Sequence, residues 1–149
     1  MIKKIILILI TILWMTSIFM FSNQKSEKST EKSHSVVTHT IVKIYKIFNS
    51  DASEETIQNI IDTWDVPIRK TAHFIEYFIL GVLVFLTLRE FGNKNIYYAI
   101  LICFLYACSD EVHQIFVPGR DGNFVDVMLD TIGSTTSILL LNKLKERKK

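Results

Sequence analysis

The chain has 149 residues, 49% of them hydrophobic, with a mean hydropathy of +0.28 and a formal net charge of +2. That length allows one domain, and no Lys/Arg tract is interleaved with aromatics, which argues against a nucleic-acid partner. Cys103 and Cys108 both lie inside one apolar block, so no disulfide framework is implied and both read as small packing residues.

The apolar residues fall in long blocks, and a helix needs about 20 residues, within about 17 to 25, to cross a bilayer. The first block, 5–21, follows Lys3 and Lys4. It opens like a signal peptide but runs straight into Phe21-Ser22-Asn23-Gln24 with no small-x-small cleavage pattern, so it reads as a retained anchor. Residues 22–35 are rich in Ser, Lys and Glu and read as a flexible stretch. Val37, Ile41, Ile44 and Phe48 then recur at helical spacing, with Lys43 and Lys46 elsewhere on the wheel. That pattern suits a helix lying on a membrane surface. Asn49-Ser50-Asp51 reads as a break. Ile57, Ile60, Ile61 and Trp64 form a second amphipathic stripe, and Pro67 predicts a separation from the next span.

The second span covers about 72–88, the third 96–117 and the fourth 124–141. The expectation is an all-α integral membrane bundle of about four transmembrane helices over 1–149. Amphipathic helices occupy the first outer segment, 22–71.

Positive charge beside short loops marks the cytoplasmic side. Lys3 and Lys4, Arg89 and Lys94, and Lys143, Lys145, Arg147, Lys148 and Lys149 form three clusters that an even number of spans puts on one side. Both termini and the 89–95 turn are therefore expected in the cytoplasm. The 22–71 and 118–123 segments are expected outside, although 22–71 also carries seven Lys and Arg residues, among them Arg69 and Lys70.

This topology gathers polar residues at one depth. Span one ends there with Asn23 and Gln24. Span two begins there with Arg69, His73 and Glu76, at i, i+4 and i+7. Span three ends there with Asp110, Glu111, His113 and Gln114. Arg120 follows in Pro118-Gly119-Arg120-Asp121-Gly122, and span four opens with Asp126 and Asp130. Each residue alone has an ordinary explanation: a hydrogen-bonded histidine, a carboxylate near a helix N-terminus, a turn arginine. Convergence of four stretches does not. An ionisable group costs about 2.5–3.5 kcal/mol at the centre of a span, less near the interface. Five carboxylates at close range need compensation from Arg69, Arg120, a metal ion or retained protons.

These motifs resemble the VanZ-like family. They are Phe21-Ser22-Asn23-Gln24; Arg69-Lys70-Thr71-Ala72-His73-Phe74-Ile75-Glu76-Tyr77 with Leu80-Gly81; Ser109-Asp110-Glu111-Val112-His113-Gln114 with Pro118-Gly119-Arg120; and Asp126-Val127 with Asp130 and Gly133. The resemblance covers nearly the whole chain apart from 25–66. It implies a multi-pass protein of the bacterial cytoplasmic membrane and a link to glycopeptide, specifically teicoplanin, resistance.

Three functions compete. The first is a membrane enzyme on a lipid-linked envelope substrate. His73, Glu76, Asp110, Glu111, His113, Asp126 and Asp130 would supply acid/base groups, and Asn23, Gln24, Arg69, Gln114 and Arg120 would bind the substrate. His73, Glu76, Asp110, His113 and Asp130 could hold a divalent, Zn- or Mn-like metal. The second is a binder that shields an envelope lipid, a lipid-linked cell-wall precursor or a glycopeptide. The third is a small proton-coupled transporter, disfavoured because the polar groups sit at one end only.

Overall fold

The computed structural model describes residues 1–23, 26–50, 52–92, 95–120 and 122–147, with side chains from Thr30 onward in the second stretch. The described residues are overwhelmingly helical. The helices are α1 (Ile2–Ser22), α2 (Ser26–Val37), a π-helical turn (Thr38–Val42), α3 (Lys43–Phe48), α4 (Glu54–Glu90), α5 (Ile96–Gln114) and α6 (Phe124–Glu146). Four of them, α1, α4, α5 and α6, are long and apolar enough to cross a membrane. The expected bundle of four spans with extra helices between the first two is what forms.

Burial is arranged for lipid rather than water. Leu9, Leu13 and Met20 of α1 and Leu105 of α5 are exposed, while Asp110, Asp130, Ser134 and Ser137 are buried. Where lipid tails are as apolar as leucine, interfaces between helices draw on small and polar residues instead. The α4–α6 contact shows this. A Cβ added at Gly81 would lie 2.5 Å from the Ser134 carbonyl oxygen, and one at Gly133 would lie 2.6 Å from the Phe74 carbonyl oxygen. Only hydrogen at these two positions lets the backbones approach so closely.

Hydrogen bonds fix the register of α1. Thr11 meets Thr87 at 3.0 Å, and the Trp14 indole donates to the Glu76 carbonyl at 2.9 Å, so α1 and α4 run antiparallel. The Tyr106 hydroxyl donates to the Met15 carbonyl at 2.6 Å, and Ser22 reaches Asp110, so α1 and α5 run parallel. Lys3 pairs with Glu90, Lys4 sits 5.0 Å over the Phe91 ring, and Arg89 and Lys145 both lie over the Phe85 ring. The basic clusters thus share one end of the bundle. Asp51, Lys94, Asp121, Lys148 and Lys149, which entered the sequence argument, lie outside the described residues.

Two expectations are corrected. Pro67 does not end a helix: α4 runs unbroken for 37 residues through it, about 55 Å. A mid-helix proline removes one hydrogen bond and strains one turn. Here the flanking hydroxyls bond locally, Thr63 to the Asn59 carbonyl and Thr71 to the Pro67 carbonyl. The polar stretch after span one is not irregular either, since 26–37 is helix α2. Its composition is poor for an isolated helix, and packing supplies the stability. Ser33 donates to the buried Asp65 carboxylate of α4, and Val37 is fully buried. The break after Phe48 occurs as expected, with Asn49 closing α3 and Ser53 capping α4 by accepting from the Thr56 N–H.

Candidate functional site

The end of the bundle opposite the basic clusters holds a cavity of about 230 Å³. Phe21 of α1, Val36 of α2 and Ile68 and Ala72 of α4 give it apolar walls. Lys32 and Ser33 of α2, Arg69, His73 and Glu76 of α4, and Arg120 of the α5–α6 loop give it polar ones. The stretch of α4 from Ile68 to Glu76, where the helix enters the span, forms the main wall. The helical spacing of Arg69, His73 and Glu76 aims all three toward the cavity.

Each arginine is positioned by a partner outside the cavity. Arg69 Nη2 lies 3.3 Å from Asp65 Oδ2, one turn earlier, and Asp65 also accepts from Ser33 and has His34 Nε2 at 3.9 Å. Arg120 follows Gly119, whose φ of +78° makes the turn. Its Nη1 donates to Gln114 Oε1 at 3.0 Å. Partial burial, and after it the nearby Arg69 charge, pull the Arg120 pKa below its usual value. An anion between the two guanidinium groups would relieve that repulsion.

Behind the wall lies a buried network. Asp110, 1% exposed, accepts through Oδ2 from Ser22 Oγ at 2.7 Å and from Gln114 Nε2 at 3.2 Å. Gln114 Nε2 also reaches Glu111 Oε1 at 3.2 Å, and Glu111 Oε2 accepts the Asn123 N–H at 2.8 Å. Gln114 therefore orients Arg120 through its oxygen and both carboxylates through its nitrogen. Glu111 ties the loop to the start of α6, where Gly122 packs so tightly that a Cβ would lie 2.8 Å from the Glu111 carbonyl oxygen.

Several buried polar atoms find no hydrogen-bond partner among the described protein atoms. They are Arg69 Nε, His73 Nδ1, Tyr77 Oη, Asp110 Oδ1, His113 Nε2 and both carboxylate oxygens of Asp130. Arg69, His73 and Tyr77 stand at i, i+4 and i+8, so one face of α4 carries three of them. Buried polar atoms are normally satisfied, and leaving one unpaired costs about 1–3 kcal/mol. Their concentration at one end makes that end the candidate functional region.

The sequence-derived candidates divide accordingly. Arg69, His73, Glu76 and Arg120 share the cavity. Asp110, Glu111, Gln114 and Asp130 are buried and absent from its lining. Asp126 is taken by Lys70, whose Nζ lies 2.6 Å from Oδ1, and His113 stacks on the Phe19 ring with centroids 4.1 Å apart. Asn23 is exposed at the end of α1, and Gln24 lies outside the described residues.

The expected metal set is not assembled. Among the described residues no three His, Cys, Asp or Glu side chains converge as metal ligands. His73 and Glu76 face the cavity, while Asp110 and Asp130 are sealed within the bundle and His113 is engaged by Phe19. Sequence reasoning missed Lys32, Ser33, Asp65 and Tyr77. The i, i+4 spacing of Asp65 and Arg69 and the position of Tyr77 on the Arg69–His73 stripe were legible signals.

Fold and site together define a multi-pass helical membrane protein with a polar chamber at one end of its bundle. The sequence profile described as VanZ/LLP1 matches residues 7–145, and the chain belongs to that family. No curated protein and no solved structure matches it.

Proposed function

We propose that the protein binds the phosphate-bearing headgroup of an envelope lipid or lipid-linked cell-wall precursor. The binding site is the cavity between α2 and α4, at the outer face of the bacterial cytoplasmic membrane with both termini inside. The observation that carries the reading is that Arg69 and Arg120 face one cavity that also has the apolar side chains Phe21, Val36, Ile68 and Ala72 in its walls. Guanidinium groups are suited to phosphate because their planar donors match two phosphate oxygens at once. Apolar walls beside them accommodate the start of an acyl or prenyl chain. The basic clusters at the opposite end support the orientation. Occupying such a headgroup would lower the access of a glycopeptide such as teicoplanin to its lipid-linked target.

One observation favours a second, enzymatic reading. His73 and Glu76 share the arginine-bearing wall, with His73 Nδ1 3.9 Å from Glu76 Oε2. A histidine and a carboxylate beside an anchored phosphate could move a proton during ester or anhydride cleavage. The test is mass spectrometry of lipids co-purifying with the protein. Phosphate-bearing lipid or lipid-linked precursor should be enriched on the unmodified chain and lost from Arg69→Gln and Arg120→Gln. A time-dependent product from the enriched lipid, absent with His73→Ala, would select the enzymatic reading.

A further inference from the structure

We propose that the headgroup in this cavity carries a primary ammonium group beside its phosphate, and that Glu76 holds the ammonium. This rests on the cavity being a phosphate site. Lys32, Arg69 and Arg120 suit an anion, yet Glu76 places a carboxylate on the same wall. A ligand that was only an anion would meet repulsion there. Glu76 is not held by the protein: its carboxylate accepts no hydrogen bond from a described residue, and its one ion-pair neighbour is His73 Nδ1 at 3.9 Å. Neither arginine pairs with Glu76: Arg69 lies against Asp65 and Arg120 donates to Gln114.

A zwitterion answers both halves of the wall. Its phosphate sits between Arg69 and Arg120, and its ammonium donates to Glu76. Arg69 and Glu76 are seven residues apart on α4, about 10 Å along the axis. Two long side chains reaching inward can meet the two ends of a phosphate and amine joined by a short carbon linker. A primary ammonium offers three N–H donors and a full charge. A hydroxyl brings no charge, and a quaternary ammonium brings no donor.

The test is a competition read by native mass spectrometry on the full chain in detergent. Phosphatidylethanolamine, phosphatidylglycerol, phosphatidylcholine and diacylglycerol of identical acyl composition are compared. The unmodified protein should prefer phosphatidylethanolamine over the other two phospholipids by about tenfold, the scale of one charge-assisted hydrogen bond. Glu76→Gln should collapse that preference to near unity. Equal uptake of the three phospholipids by the unmodified protein, or a preference that survives Glu76→Gln, would overturn the proposal while leaving the phosphate reading intact. Uptake of all three no better than diacylglycerol would overturn both. The ratio on the unmodified protein decides the matter even where the variant does not fold.

Discussion

Ser22 at the end of α1 donates a 2.7 Å hydrogen bond to the Asp110 carboxylate of α5, joining positions 88 apart in sequence. Both side chains are buried, and the same carboxylate oxygen accepts from Gln114, which in turn holds Arg120. One buried acid therefore fixes the end of the first span and, through Gln114, the placement of a cavity arginine.

Removing that acid should be costly. Asp110→Ala leaves the Ser22 hydroxyl without its acceptor and the Gln114 amide with Glu111 alone, at about 1–3 kcal/mol. Asp110→Asn keeps an acceptor oxygen and should lose less. Thermal unfolding in detergent checks the order; equal losses for the two variants would show that these hydrogen bonds do not hold the helices.

The α4–α6 contact should tolerate no methyl group. Gly81→Ala would drive a carbon toward the Ser134 carbonyl and the Ser137 hydroxyl, and overpacking of this kind costs about 1–3 kcal/mol. Ser137→Gly should not rescue it, because the backbone carbonyl remains in place. Full rescue, read by the same unfolding measurement, would place the strain in the side chain instead.

Asp65 should fasten α2 to α4. It accepts from Ser33 and faces both His34 and Arg69. In a background with Cys103 and Cys108 replaced by alanine, a cysteine at the buried Val37 position should be slow to alkylate. Adding Asp65→Ala should accelerate the reaction. An unchanged rate would show that apolar packing alone keeps α2 in place.

The four spans were legible because bilayer thickness imposes a long uninterrupted apolar run, and the sequence has four. The convergence of Arg69, His73, Glu76 and Arg120 was legible from helical spacing plus topology. Two other features depended on contacts that no local pattern encodes. Helix α2 has a loop-like composition and is held as a helix by the Ser33 bond to Asp65 of α4 and the burial of Val37. Pro67 carries a strong helix-breaking signal, yet a single lost hydrogen bond in a 37-residue helix is outweighed by the rest. The five candidate metal ligands divide between the cavity, which holds His73 and Glu76, and the buried interior, which holds Asp110 and Asp130, a partition that helical spacing alone does not encode.

Orientation is tested by single cysteines in the same cysteine-free background. A cysteine at Ser50 should react with a membrane-impermeant maleimide in intact cells, and one at Asn142 only after permeabilisation. The reverse pattern would put the cavity in the cytoplasm.

The most direct measurement of the central claim is phospholipid binding to the purified chain with Arg69→Gln, Arg120→Gln and both together. The account predicts that each substitution weakens binding of a phosphate-bearing lipid, by about tenfold for a lost charge-assisted hydrogen bond. The double variant should bind it no better than diacylglycerol. Unaltered affinity in the folded double variant would contradict the claim that these two guanidinium groups form a headgroup site.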